Sequence, residues 1–172
     1  MKAFRKGAIG ALMDEYERAS SDLKLLFRNL SEERFIEILD TQTKDEDCRS
    51  AQTIMKHVVG AGYGYADYIR GALGIVSTSP DRRLLSLAEV EAQIDAMLEY
   101  TEHTLEGRWE MTDEEMTSVV IDSRWGVRYD LEQLLEHAIV HILRHRRQIE
   151  RLMQNSASGA SQSAHVSQER AL

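Results

Sequence analysis

The chain has one proline, one cysteine and only three phenylalanines in 172 residues. With Pro80 alone to interrupt backbone hydrogen bonding, long helices are open to it. A single cysteine, Cys48, excludes an intrachain disulfide and a cysteine-rich zinc site. Its neighbours Asp45, Glu46 and Asp47 raise the thiol pKa, the opposite of what a reactive thiolate needs. No segment approaches the roughly 18 consecutive apolar residues of a membrane helix. Asp14 and Glu15 interrupt the N-terminal apolar run too early for a signal peptide. Positive charge is also scarce: 21 Lys and Arg against 29 Asp and Glu leave a formal charge of −8. Nucleic-acid binders show a basic face instead. These absences point to a soluble, cytoplasmic protein with no nucleic-acid or membrane partner. They leave room for an anionic small molecule, because an acidic chain can carry a local cationic site.

What is present is helical periodicity. Ile9, Leu12, Met13, Tyr16, Ala19, Leu23, Leu26, Phe27 and Leu30 recur at spacings of three and four, predicting a first helix over about 4–29. Residues 31–40 read as a short helical turn capped by Ser31. A second helix starts between Asp47 and Ser50 and reaches about Leu73, with Ile54, Val58, Ala61, Tyr65 and Ile69 as its apolar stripe. Gly60, Gly62 and Gly64 in that helix either admit a close neighbour or break it locally. Ser86 followed by Glu89 is a capping box for a third helix to about 106, stopped by Gly107. Residues 108–129 are irregular, with a short helical or extended piece near 118–121 and a turn at 124–126. Asp130 with Gln133 caps a fourth helix running to about Met153. The expectation is an all-α four-helix bundle with long connections over residues 1–154, followed by a disordered tail at 155–172 rich in Ser, Ala and Gln. The long stretch before the fourth helix suits a crossover or a flap over a site.

The last helix carries LEHAIVHILRHRRQIERL, residues 135–152, with His137, His141 and His145 four apart. Such residues climb one side of a helix, and two imidazoles at i and i+4 can chelate one divalent ion. An isolated histidine on an apolar face is more often a hydrogen-bonded core residue. His57, beside the stripe of the second helix between Ile54 and Ala61, supplies a third inward imidazole. Spacing leaves 137/141 and 141/145 equally open as the chelating pair. His103 lies off its helix's stripe and reads as a surface residue, and His165 falls in the tail. The Glu-x-x-His pairs of a di-iron bundle are missing, as are HExxH, GxSxG and GxxxxGK[ST]. Tyr63, Tyr65, Asp67 and Tyr68 follow His57 closely enough to line a pocket, or simply pack. Arg144, Arg146 and Arg147 read as an anion-attracting group or as a face salt-bridged to Glu136 and Glu150. Trp109 and Trp125 either cover a site or anchor the long connection.

HILRHRRQI at 141–149, together with SAQTIMKH ending at His57, resembles the DinB-like (DinB/YfiT-like) metal-dependent four-helix bundle family. The resemblance covers about residues 5–153. It implies a divalent transition metal, zinc or nickel, held by His57, His141 and His145. The second paired histidine of the family stands just before the Arg-x-Gln run, which selects 141/145 and makes His137 a neighbouring pocket residue. Arg147 stands where many members carry glycine. The resemblance also implies a low-molecular-weight thiol as cofactor, a small-molecule substrate, and a homodimer formed through an exposed helix face. An ion on three neutral imidazoles keeps its full charge and open positions, so it can bind a thiol as thiolate or lower the pKa of water. The expected function is therefore a metal-dependent transferase or hydrolase activating a small thiol or water. The alternative is a non-catalytic metal- or ligand-binding, stress-response bundle protein.

Overall fold

The structure is a computed structural model that describes the backbone over residues 4–169 and side chains over residues 4–154. In chain order the elements are α1 (Gly7–Leu25), α2 (Glu32–Ile36), α3 (Ala51–Ala72), α4 (Val90–Leu105), α5 (Asp113–Ser118), β1 (Ile121–Asp122), β2 (Arg128–Tyr129) and α6 (Leu131–Glu169), with short 3-10 turns before α3 and α4. The side chains of the tail expected from residue 155 onward, His165 among them, lie outside those described, as do residues 170–172 altogether. Among the described residues no helix is long and apolar enough to cross a membrane.

The caps read from the sequence start the helices. Ser31 Oγ accepts from the Arg34 amide at 3.2 Å, and Ser86 donates to Glu89 from its amide and its hydroxyl at 2.9 and 2.8 Å. Gln133 and Asp130 exchange amide-to-side-chain bonds at 2.8 and 3.1 Å ahead of α6. Helix α3 adds a box that was not anticipated, in which Ser50 and Thr53 satisfy each other's amides.

Four long helices, α1, α3, α4 and α6, close into a ring in which α1 packs on α4 and α6, and α3 packs on the same two. Consecutive long helices α1 and α3, and likewise α4 and α6, therefore sit diagonally, and the two long connections cross between them. That arrangement explains connections longer than an up-down bundle needs. The core is the sum of the predicted faces: Ile9, Met13, Tyr16 and Leu23 of α1, Ile54, Met55 and Val58 of α3, Ile94, Met97 and Leu105 of α4, and Leu134, Ala138, Ile142 and Ile149 of α6. Helix α1 is shorter than expected, ending at Leu25 with Leu26 and Phe27 continuing as hydrogen-bonded turn. The irregular stretch resolves into α5 and a two-residue antiparallel hairpin, Ile121 opposite Tyr129 and Asp122 opposite Arg128.

The glycines do not break α3. A Cβ on Gly62 would stand 1.9 Å from Met97 Sδ and 3.0 Å from Tyr16 Oη, so the missing side chain is what lets α3 and α4 come together.

Candidate metal centre

His57 sits on the second turn of α3, and His141 and His145 on successive turns of α6, facing it across the seam between the two helices. One ring nitrogen from each lies within 4.8 Å of the others. His57 Nε2 and His141 Nε2 are 3.0 Å apart, and the ring centroids of the three pairs are 4.4–5.0 Å apart. His141 and His145 are 4% and 5% exposed, against a half-buried His57. The cluster therefore opens to solvent on the α3 side.

The outward nitrogen of His145 is held, and that of His57 faces a carboxylate. His145 donates from Nδ1 to Gln148 Oε1 at 2.8 Å, one helical turn further on. That leaves the lone pair on Nε2, which is buried with no hydrogen-bond partner. His57 Nδ1 faces Asp47 Oδ2 at 3.6 Å. A carboxylate or amide behind a ligating histidine fixes its tautomer and orients it, the usual support of a metal-bound imidazole. Two Nε2 lone pairs meeting at 3.0 Å repel unless a proton or a cation lies between them. An orphaned buried nitrogen and a facing nitrogen pair are what a nitrogen-preferring divalent ion would satisfy, so these residues fit such a group.

Electrostatics agree with the donor set. Burial pushes His141 down to about 2, helped by His145 and His57, and pushes His145 down to about 4 against the raising effect of its Gln148 hydrogen bond. Burial also lowers His57, outweighing the opposite pull of Asp47. All three rings are thus neutral at pH 7, the protonation state that ligates.

His137 does not join them. Its ring stacks on Trp125 at 5.8 Å and 22°, meets Tyr129 Oη through Nδ1 at 3.4 Å, and lies 6.5 Å from the His141 ring. His103 is exposed, as expected.

Two cavities flank His57. One, of about 330 Å³, lies against α3 and is walled by Tyr65, Tyr68, Trp125, Arg82 and Arg124. The other, of about 710 Å³, runs along α6 past Cys48, His145, Arg144, Arg147 and Arg151. Of the aromatic residues after His57, Tyr65 and Tyr68 line the first cavity, whereas Tyr63 packs edge-on to Tyr100 at 5.3 Å. Trp125 lines the first cavity, and Trp109 instead packs against the core under the Arg5 guanidinium. Arg146 pairs with Asp22 and Glu150 as a salt-bridged face, while Arg144 and Arg147 line the second cavity. The Cys48 thiol is raised first by burial and then by Asp45 and Asp47. Its place on a cavity wall shared with His57 and His145 had no signature in the sequence. Gln148 did have one, as the glutamine three residues after His145. Arg82 and Arg124 had none, since both reach the site from loops.

Fold and centre together define a mostly helical bundle whose inner histidines could hold a metal ion. The DinB family model matches residues 4–156, and the chain belongs to that family. Comparison with curated proteins and with solved structures finds no match.

Proposed function

We propose that this DinB-family protein is a metal-dependent transferase or hydrolase, with a divalent transition metal, zinc or nickel, held by His57, His141 and His145. The observation that carries the reading is the convergence of three neutral imidazoles, with His145 Nε2 buried and unpartnered and its Nδ1 committed to Gln148. A metal bound there supplies Lewis-acid chemistry, holding a small thiol as thiolate or lowering the pKa of water. The surrounding residues do the rest. Gln148 accepts the His145 Nδ1 proton and so leaves its inner nitrogen free, while the Asp47 carboxylate faces His57 Nδ1 at 3.6 Å. The cavity along α6, with Arg144, Arg147 and Arg151 on its wall, offers cationic partners for an anionic low-molecular-weight thiol. The small-molecule substrate enters from the opposite side of His57.

The second reading is a non-catalytic metal- or ligand-binding bundle, favoured by the larger cavity, whose wall mixes Asp40 and Asp45 with Arg144, Arg147 and Arg151. Metal analysis of protein purified without chelator or polyhistidine tag decides the first point. The wild type is expected to carry one equivalent, and His57→Ala and His145→Ala to lose it. Retained metal in both variants would sink the ligand assignment. Thiol-dependent turnover of an electrophile, lost in His141→Ala, separates the enzyme from the binding module.

A further inference from the structure

About half of the arginines pair with a carboxylate, Arg28 and Arg49 among them. Arg5, Arg18, Arg34, Arg83, Arg128 and Arg146 each hold a carboxylate. Arg82 and Arg124 do not: among the described residues neither has a carboxylate within 4.0 Å, and both face the 330 Å³ cavity beside His57. The one acid on that cavity wall, Asp67, is already committed. Tyr100 Oη donates to its Oδ1 at 2.7 Å and Ser79 Oγ to its Oδ2 at 2.5 Å. In a chain of net charge −8, two acid-free guanidiniums on one small cavity run against the whole.

Arg82 is placed, not merely nearby. Its Nη2 donates to the Gly60 carbonyl at 3.1 Å, and a Cβ on Gly60 would stand 2.7 Å from its Cγ and Nε. Gly64, one turn on, leaves the floor of the cavity open: beyond its own helix backbone and chain neighbours, a Cβ there would meet only Arg82 Nη2, at 3.7 Å, among the described residues. Arg124 is brought in by the hairpin, whose position is tied by its amide donating to Tyr68 Oη at 3.0 Å. The walls between the two arginines are aromatic. Trp125 meets Tyr65 at 82° and Tyr68 at 90°, with centroids 6.3 and 5.6 Å apart, so the rings form a corner. Trp125 remains 42% exposed in a chain with only two tryptophans. The volume is at the low end of the range for small-molecule sites, about 300–1,000 Å³.

We propose that this cavity receives a small planar aromatic carboxylate, its ring in the corner of Tyr65, Tyr68 and Trp125 and its carboxylate between Arg82 and Arg124. A guanidinium reads a carboxylate through paired N–H donors, and flat aromatic walls select a flat ring. The inference names the substrate class of the function proposed above, and rests on that function only for the claim that the bound molecule is acted upon.

Benzoate is the probe, with benzamide as its neutral counterpart and acetate as its ringless one. Calorimetric titrations with and without one equivalent of Zn²⁺ should give benzoate an affinity at least tenfold above either. Quenching of Trp125 in a Trp109→Phe background should follow the same isotherm. Arg82→Ala and Arg124→Ala should each weaken benzoate tenfold or more while leaving benzamide unchanged. Gly64→Leu should fill the floor and abolish binding, with circular dichroism confirming the fold and Zn²⁺ affinity within about twofold of wild type. Should Gly64→Leu fail to fold, Arg124→Ala on its exposed hairpin carries the test. Equal binding of benzoate and benzamide would overturn the proposal. So would benzoate binding that needs Zn²⁺ and ignores Gly64→Leu, since the carboxylate would then sit on the metal. Benzoate binding as described without any Zn²⁺ uptake would support the cavity and sink the metal-dependent function. Zn²⁺ uptake without benzoate binding would do the reverse.

Discussion

Helix α3 makes two seams, and they are built on opposite terms. Against α4 it closes tightly: Gly62 lies under Met97, Tyr16 Oη donates to Met97 Sδ at 3.8 Å, and Arg70 Nε donates to Thr104 Oγ1 at 2.7 Å. Every polar group named in that seam has its partner. Against α6, one and a half turns earlier, the same helix presents His57 to His141 and His145, and a buried ring nitrogen is left without one. A fold that satisfies one seam so fully has no difficulty satisfying polar groups. Two nearly unexposed histidines with an unpartnered ring nitrogen are what the proposed metal would complete, although Ser20 Oγ and Arg49 Nε are also buried without a partner among the described residues. The first seam is thus a packing seam, and the second is the one that carries the proposed function.

The largest effect should come from breaking the packing seam. Gly62→Val places branched carbon where Met97 Sδ and Tyr16 Oη now lie. Overpacking of this kind should cost about 2–4 kcal/mol in urea denaturation. Zn²⁺ affinity of the folded fraction should stay within about threefold of wild type. A parallel collapse of metal binding would show that the two seams are not independent.

The next effect belongs to the other seam. Gln148→Ala removes the acceptor of the His145 Nδ1 proton without touching the inner nitrogens. Loss of such an outer partner should weaken Zn²⁺ by about 10–100-fold in a competition titration, with little change in the stability of the metal-free protein. Unchanged affinity would mean that packing alone orients the His145 ring.

How far these seams could be read beforehand follows the same division. Helix faces, and the caps at Ser31, Ser86 and Asp130, were legible because each is a local pattern with a local cause. The histidines of α6 were legible as a chelating spacing, but their choice over His137 needed the family resemblance. The reason now lies in a ring stack with Trp125 that comes from a distant hairpin. That hairpin has strands of two residues, too short for any alternation to show. Gly60, Gly62 and Gly64 announced a close approach without saying what approaches. The answer is Arg82 at Gly60 and Met97 at Gly62, whereas Gly64 is left open beside the cavity.

Titration of the metal-free site sets the two seams apart in a third way. Burial holds His145 at about 4 and His141 at about 2, both below the ordinary value of 6.5 expected in the unfolded chain. Below pH 6.5 the unfolded state therefore takes up protons that the folded state refuses. Stability of the metal-free protein should fall as the pH drops from 6.5, through about 4 for His145 and onward for His141. Arg144 adds to the lowering of both rings, while Asp47 and Asp45 oppose it at His57, so the two α6 histidines should dominate. Urea midpoints of chelator-treated protein should fall steadily between pH 7 and pH 4.5. His141→Phe, which keeps the ring packing and removes the proton site, should flatten that slope. Equal slopes in both proteins would move the titration to the surface carboxylates. The α3–α6 seam would then carry no more electrostatic tension than the α3–α4 seam.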